Sequence, residues 1–338
     1  MKRGVVFGLK CILALLPVLT LLVYTAVCPF GYMDEEYPSW RYTRDMERGR
    51  AKLPDRGATL ILGDSRAMAD LVPLLMGDET YNLAVGGATG IEMYHTLKRL
   101  IEEDRIPANV ILMFAPFHYS YMDNFWTRSA YFHQLTFPEA VSVYLKGEKA
   151  KADFTEDGEH GLSELVSTYL YFPDTYMPAL INSRFVMRKR VNEDSYQRIS
   201  ETRGHGLFGT ENGSSELNYE ANYTELKTDG DAVLLCDYMR KLLSLCADYG
   251  IQTLLVQAPM NEASYYNLSD DYVSQYSELI DSFREVYPEA LLDPNIPCLP
   301  NALFGDASHL NERGAREYTE YFMKKYGEYL VNYSERQE

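Results

Sequence analysis

Apolar residues recur along this chain in two rhythms. Short, nearly continuous runs end at glycine or proline: Ala58–Leu62 stops at Gly63, Asn109–Phe114 is stopped by Pro116, and Thr253–Ala258 is halted by Pro259. Runs of this kind predict strands covered on both faces, which have no need to alternate. Tyr81–Val85, closed by Gly86 and Gly87, and Ala290–Leu292 predict two shorter strands. Helical spacing fills the intervals. One helix starts near Arg66, and Ile91–Glu103 places Ile91, Tyr94, Leu97, Leu100 and Ile101 on one face. Asp231–Tyr249 ends at Gly250, a helix-stop residue, and Asp270–Val286 and Asn311–Val331 complete the set. Strands alternating with helices predict an α/β fold with a parallel sheet covered on both sides.

The alternation breaks between about 120 and 230, where Phe125, Trp126, Tyr131 and Phe132 mix with helical fragments and a loop-rich part, Gly204–Asn222. This stretch is expected to be an insertion on a body spanning 57–338, serving either as a substrate-contacting lid or as plain helical decoration. Residues 31–56 are polar, carry Pro38, Pro54 and several arginines, and are expected to form a stalk.

The first 30 residues bear on location. Lys2, Arg3 and Lys10 precede an uncharged apolar stretch from Cys11 to Phe30, and Asp34, Glu35 and Glu36 follow it. A bilayer-spanning helix needs roughly 20 apolar residues. The positive flank predicts a cytoplasmic tip, a single transmembrane anchor, and everything after Phe30 outside the cell. A cleaved signal peptide is the rival reading, but no clean small-x-small site follows the run, and Val27 before Cys28 spoils a lipoprotein-type site.

The 338 residues are 46% hydrophobic, ample for one large domain, and the 28 tyrosines supply aromatic surface for packing or for stacking on sugars. Acidic residues outnumber basic ones 49 to 32, a formal charge of −17. Without a cationic footprint, nucleic acid is excluded as a partner. The five cysteines form no disulfide framework: Cys11 and Cys28 lie in the apolar segment. Cys236 and Cys246 are about 15 Å apart on one helix. Nothing requires Cys298 to pair, so free thiols are expected.

Two short motifs carry chemistry. Gly63-Asp64-Ser65 stands at the carboxyl end of the first strand, where open parallel sheets bind ligands. Alone it also reads as a turn with a helix cap. Asp306-Ala307-Ser308-His309 directly precedes the final helix. A serine needs a base to take its proton, and the base needs a carboxylate to orient it. The rival readings of the second motif are a helix-entry loop or a metal-ligand pair, and no other histidine has metal-ligand spacing. Asn82–Thr89 ends the second strand with Gly86 and Gly87, where a backbone N–H can closely approach a substrate oxygen.

In this order and strand context the blocks resemble the SGNH/GDSL hydrolase superfamily over residues 57–115 and 231–331. The resemblance implies a flavodoxin-like three-layer sheet and a triad of Ser65, Asp306 and His309. It implies an oxyanion site from the amides of Ser65 and Gly87, with Gly86 next by spacing, and no metal or organic cofactor. One block departs: where the family has Gly-x-Asn-Asp, this chain reads Phe114-Ala115-Pro116-Phe117-His118-Tyr119, so either His118 or Tyr119 is expected to stand in for the asparagine, or the activity is expected to be slow and specialised. In this the chain looks similar to membrane-anchored members that partner membrane-bound O-acyltransferases in acylating cell-wall polymers. The implied activity is acyl transfer to or from a cell-surface glycan or teichoic acid. A plain carbohydrate esterase and a non-catalytic assembly factor are the alternatives. Arg184, Arg188, Lys189 and Arg190 fit either an anionic polymer or lipid head group, or a solvated helix face. Trp126, Tyr131 and His133 fit a sugar-binding rim, or, for the two aromatics, core packing.

Overall fold

The computed structural model describes residues 2–27, 34–50, 53–54, 56–122, 124–154, 160–170, 187–208 and 224–331. Its centre is a five-stranded, wholly parallel sheet built from β1 (Thr59–Gly63), β2 (Thr80–Asn82), β3 (Asn109–Phe114), β4 (Gln252–Gln257) and β6 (Leu291–Leu292), in the order β2-β1-β3-β4-β6. The two-residue strands β5 (Met260–Asn261) and β7 (Cys298–Leu299) pair separately. The α-helices of six residues or more among the described residues are α1 (Lys2–Val27), α2 (Tyr37–Glu47), α3 (Ser65–Asp70), α4 (Gly90–Glu102), α5 (Phe137–Ala150), α6 (Leu162–Tyr169), α7 (Met187–Glu201), α8 (Asp231–Asp248), α9 (Asp270–Val286) and α10 (Glu312–Val331).

The apolar runs are continuous because each face of the sheet has its own core. Leu60, Leu62, Val110, Leu112, Phe114 and Leu255 pack with α2, α4, α8 and α9, whereas Ile61, Ile111, Met113, Leu254 and Val256 pack with α3 and α10. Burying each large aliphatic or aromatic side chain contributes about 1.5–3 kcal/mol. At the end of β1 the backbone must touch its neighbour. A Cβ on Gly63 would sit 1.8 Å from the Met113 carbonyl oxygen, so only glycine lets β1 turn into the site at this point.

The structure bears on four of the expected segments. β2 stops at Asn82 instead of Val85 because the Asn82 side chain takes the Ala84 N–H at 3.1 Å; Leu83 and Val85 still donate to Ile61 and Gly63 of β1. The expected stalk contains α2, whose Trp40 is fully buried with Tyr42 and Met46, so the body begins before Tyr37 and not at 57. The insertion around 120–230 has a core of its own, with Phe125, Val143 and Leu165 packed on Leu235 and Tyr238 of α8. Finally, α1 is a helix, but among the described residues no helix is long and apolar enough to cross a membrane, so the transmembrane anchor gains no support from the structure. The described cysteines are free, Cys246 being buried.

Candidate active site

At the carboxyl edge of the sheet, β1 passes through Gly63 and Asp64 into α3, and Ser65 is the first residue of that helix. Asp64 is the helix cap. Its Oδ1 accepts from the Arg66 amide at 2.9 Å. Its Oδ2 accepts from the Ala115 amide at 2.7 Å and lies 2.7 Å from His118 Nδ1. The buried carboxylate thereby ties the turn after β1 to the turn after β3. Burial pushes Asp64 up, but His118, Arg66 and the N–H donors outweigh it and hold the group below its ordinary value.

The loop before α10 carries the other half. Asp306 Oδ1 accepts from the amides of Ser308 and His309, both at 2.8 Å, a local turn that its short side chain is suited to make. The carboxylate then meets His309 Nδ1 at 2.9 and 3.0 Å, and His309 Nε2 lies 2.8 Å from Ser65 Oγ. Burial raises Asp306, and its bonds with His309 and Ser308 more than reverse this, leaving it below the usual carboxylate range and ionised. Hydroxyl, imidazole and carboxylate in hydrogen-bonded sequence are what general-base activation of a serine requires.

Asp70, at the end of α3, braces the histidine loop by accepting from the Leu310 amide at 3.1 Å. Its side chain is fully buried and Oδ2 has no hydrogen-bond partner; burial pushes its carboxyl well above the ordinary value, against Leu310 and Arg66. A carboxyl raised on folding stabilises the fold fully below its unfolded value, and that stability is lost as pH rises through the folded value. Asp70→Asn keeps the acceptor and has no proton to lose. It is expected to melt above the parent at neutral pH, with the difference gone below about pH 4. A variant melting lower at neutral pH in paired thermal scans would show that Asp70 works as a carboxylate.

Ser65 and His309 open into a cleft of about 280 Å³ that Gly86, Gly87, His118 and Asn124 also line. Gly87 has a positive φ of 70°, and a Cβ there would lie 2.7 Å from the Asn124 side-chain amide. Asn124 Oδ1 accepts from Arg128 Nη1, which points the amide NH2 away from Arg128. Arg128 is itself held by both oxygens of Glu36, at 2.5 and 2.6 Å. Phe208 stacks on the His309 ring, with centroids 4.8 Å apart and planes 26° apart. The loop carrying Phe208 is docked by backbone bonds from Asn82 N to Arg203 O (2.8 Å) and Gly206 N to Met68 O (3.2 Å), and by His205 Nε2 to Ala69 O (2.9 Å).

The structure therefore brings Ser65, Asp306, His309, Gly86, Gly87 and His118 together. It does not bring in Tyr119 or Trp126. Tyr119 is buried against Phe114 and Tyr276, and Trp126 packs on Phe125, Phe154 and His160 in the insertion core. His133 stacks on Tyr169, also away from the cleft, and Tyr131 packs on Phe132. Of the basic group, Arg184 lies outside the described residues and Arg188 pairs with Glu35 at 2.6 Å. Asn124, Arg128, Glu36 and Phe208 were not foreseen, since each reaches the cleft from a segment with no catalytic motif of its own. No family model and no curated protein matches this sequence.

Proposed function

We propose that the protein is a divergent SGNH-type serine enzyme that transfers an acyl group to or from a cell-surface glycan or teichoic acid, outside the cytoplasm and alongside a membrane-bound O-acyltransferase. The observation that carries this reading is the 2.8 Å contact between His309 Nε2 and Ser65 Oγ, backed by Asp306 on the other ring nitrogen. The strand order β2-β1-β3-β4-β6 agrees with the flavodoxin-like arrangement of such enzymes. The charged-then-apolar start of the sequence favours attachment to a membrane.

Ser65 Oγ attacks the acyl carbonyl carbon as His309 Nε2 takes its proton. The amides of Ser65 and Gly87 donate to the oxyanion, with Gly86 completing the turn. The Asn124 amide fills the role of the missing third-block asparagine. His118 holds Asp64 and through it the turn that presents Ser65. The leaving oxygen takes the proton from His309; an acceptor hydroxyl then attacks the acyl-serine and returns a proton by the same route. No metal or organic cofactor enters these steps.

Full-length protein given p-nitrophenyl acetate and either a cell-wall glycan or teichoic acid is expected to leave acetyl ester on the polymer, detectable by mass spectrometry. Acetate alone favours a plain carbohydrate esterase. Neither product from folded protein favours a non-catalytic assembly factor.

A further inference from the structure

A second cleft, of about 600 Å³, adjoins the first and shares two walls with it, Glu36 and Phe208. Its size falls among cavities that hold small organic ligands, roughly 300–1,000 Å³. Its apolar surface comes from Met68, Ile199 and Phe208, and its polar rim from Glu35, Ser195 and Arg198. His205, a further wall, is kept neutral by burial, which lowers its pKa. Its Nε2 meets the Ala69 carbonyl as donor, so Nδ1 carries a lone pair.

This mixture discriminates between ligands. An acyl chain would cover the exposed charges of Glu35 and Arg198 without offering them a hydrogen bond. A phosphate would meet a single cation among the lining residues, Arg198, beside two carboxylates that are already ion-paired, Glu36 with Arg128 and Glu35 with Arg188. A neutral pyranose presents C–H groups to one side and hydroxyls around its edge, matching an apolar floor with a rim of donors and acceptors. Phe208 stacks on His309 and lines both clefts, so the second cleft borders the first beside the triad histidine.

We propose that this second cleft binds a neutral sugar unit of the acceptor and presents its hydroxyl past Phe208 to acylated Ser65. The proposal rests on the acyl-transfer reading. The sugar oxygen forms the new ester bond, its proton passes to His309 Nε2, and Ser65 Oγ recovers that proton as its bond to the acyl carbon breaks.

The test uses full-length protein and methyl β-D-glucopyranoside, followed by saturation-transfer NMR. The parent and Ser65→Ala are both expected to transfer saturation to the ring protons. Ser195→Trp, which fills the cleft, is expected to reduce the signal about tenfold, and Arg198→Ala, at an exposed position, about threefold. Both cleft variants are expected to keep fluorophosphonate labelling of Ser65. No signal from the parent, or an undiminished signal in both variants, overturns the proposal. The labelling arm reads the serine chemistry separately. Cleft-dependent sugar binding without labelling keeps the sugar site and removes acyl transfer, whereas labelling without sugar binding removes the sugar site alone.

Discussion

Replacing Ser65 with alanine is expected to abolish turnover of p-nitrophenyl acetate, lowering kcat by about a millionfold. Ser65 Oγ is the atom that His309 Nε2 addresses at 2.8 Å, and the His309 ring is fixed by Asp306 on one side and Phe208 on its face. Alanine removes the proposed nucleophile and leaves this frame in place. The helix cap comes from Asp64, whose bonds to the Arg66 and Ala115 amides do not involve the serine hydroxyl. The variant should therefore melt with the parent while failing to turn over. Stopped-flow measurement of p-nitrophenol release checks both the burst and the steady state. Residual turnover within tenfold of the parent would place the reacting group elsewhere.

Asn124→Ala is expected to lower kcat by about 10²–10³ with little change in KM, the effect of losing one preorganised oxyanion donor. The prediction follows from a chain of contacts: Glu36 holds Arg128, Arg128 holds Asn124 Oδ1, and the amide NH2 lies where a side chain on Gly87 would be. Asn124→Asp keeps the shape but replaces the donor with an acceptor carrying charge, so it should be at least as damaging. A rise in KM with kcat unchanged would instead mean that Asn124 holds substrate and transition state equally.

What was legible in the sequence was whatever has a local cause. The strands announced themselves because a sheet covered on both faces needs apolar residues at every position, and Val110–Phe114 has them. Ser65, Asp306 and His309 were legible because a strand-to-helix turn and a helix-entry loop each keep their motif within a few positions. The misreadings share another origin. In α2, Tyr37, Trp40 and Met46 sit among arginines and acids, and Pro38 suggested a connector although proline is well tolerated in a first helical turn. Trp126 and Tyr119 carried aromatic surface that the fold spends on its interior. Asn124 and Phe208 reach the cleft only because Arg128 and the docked 203–208 loop position them, and no spacing along the chain encodes such contacts. Directly after β3 the sequence offers only His118 or Tyr119 in place of an asparagine; the structure sets the amide of Asn124, ten residues beyond the strand, against Gly87.

The central claim, that Ser65 is an activated nucleophile, is tested most directly by treating folded full-length protein with a fluorophosphonate and mapping the adduct by peptide mass spectrometry. The account predicts one adduct, on Ser65, that is absent from Ser65→Ala and strongly slowed in His309→Ala. An unmodified Ser65 in folded protein, or labelling that persists unchanged in His309→Ala, would contradict it.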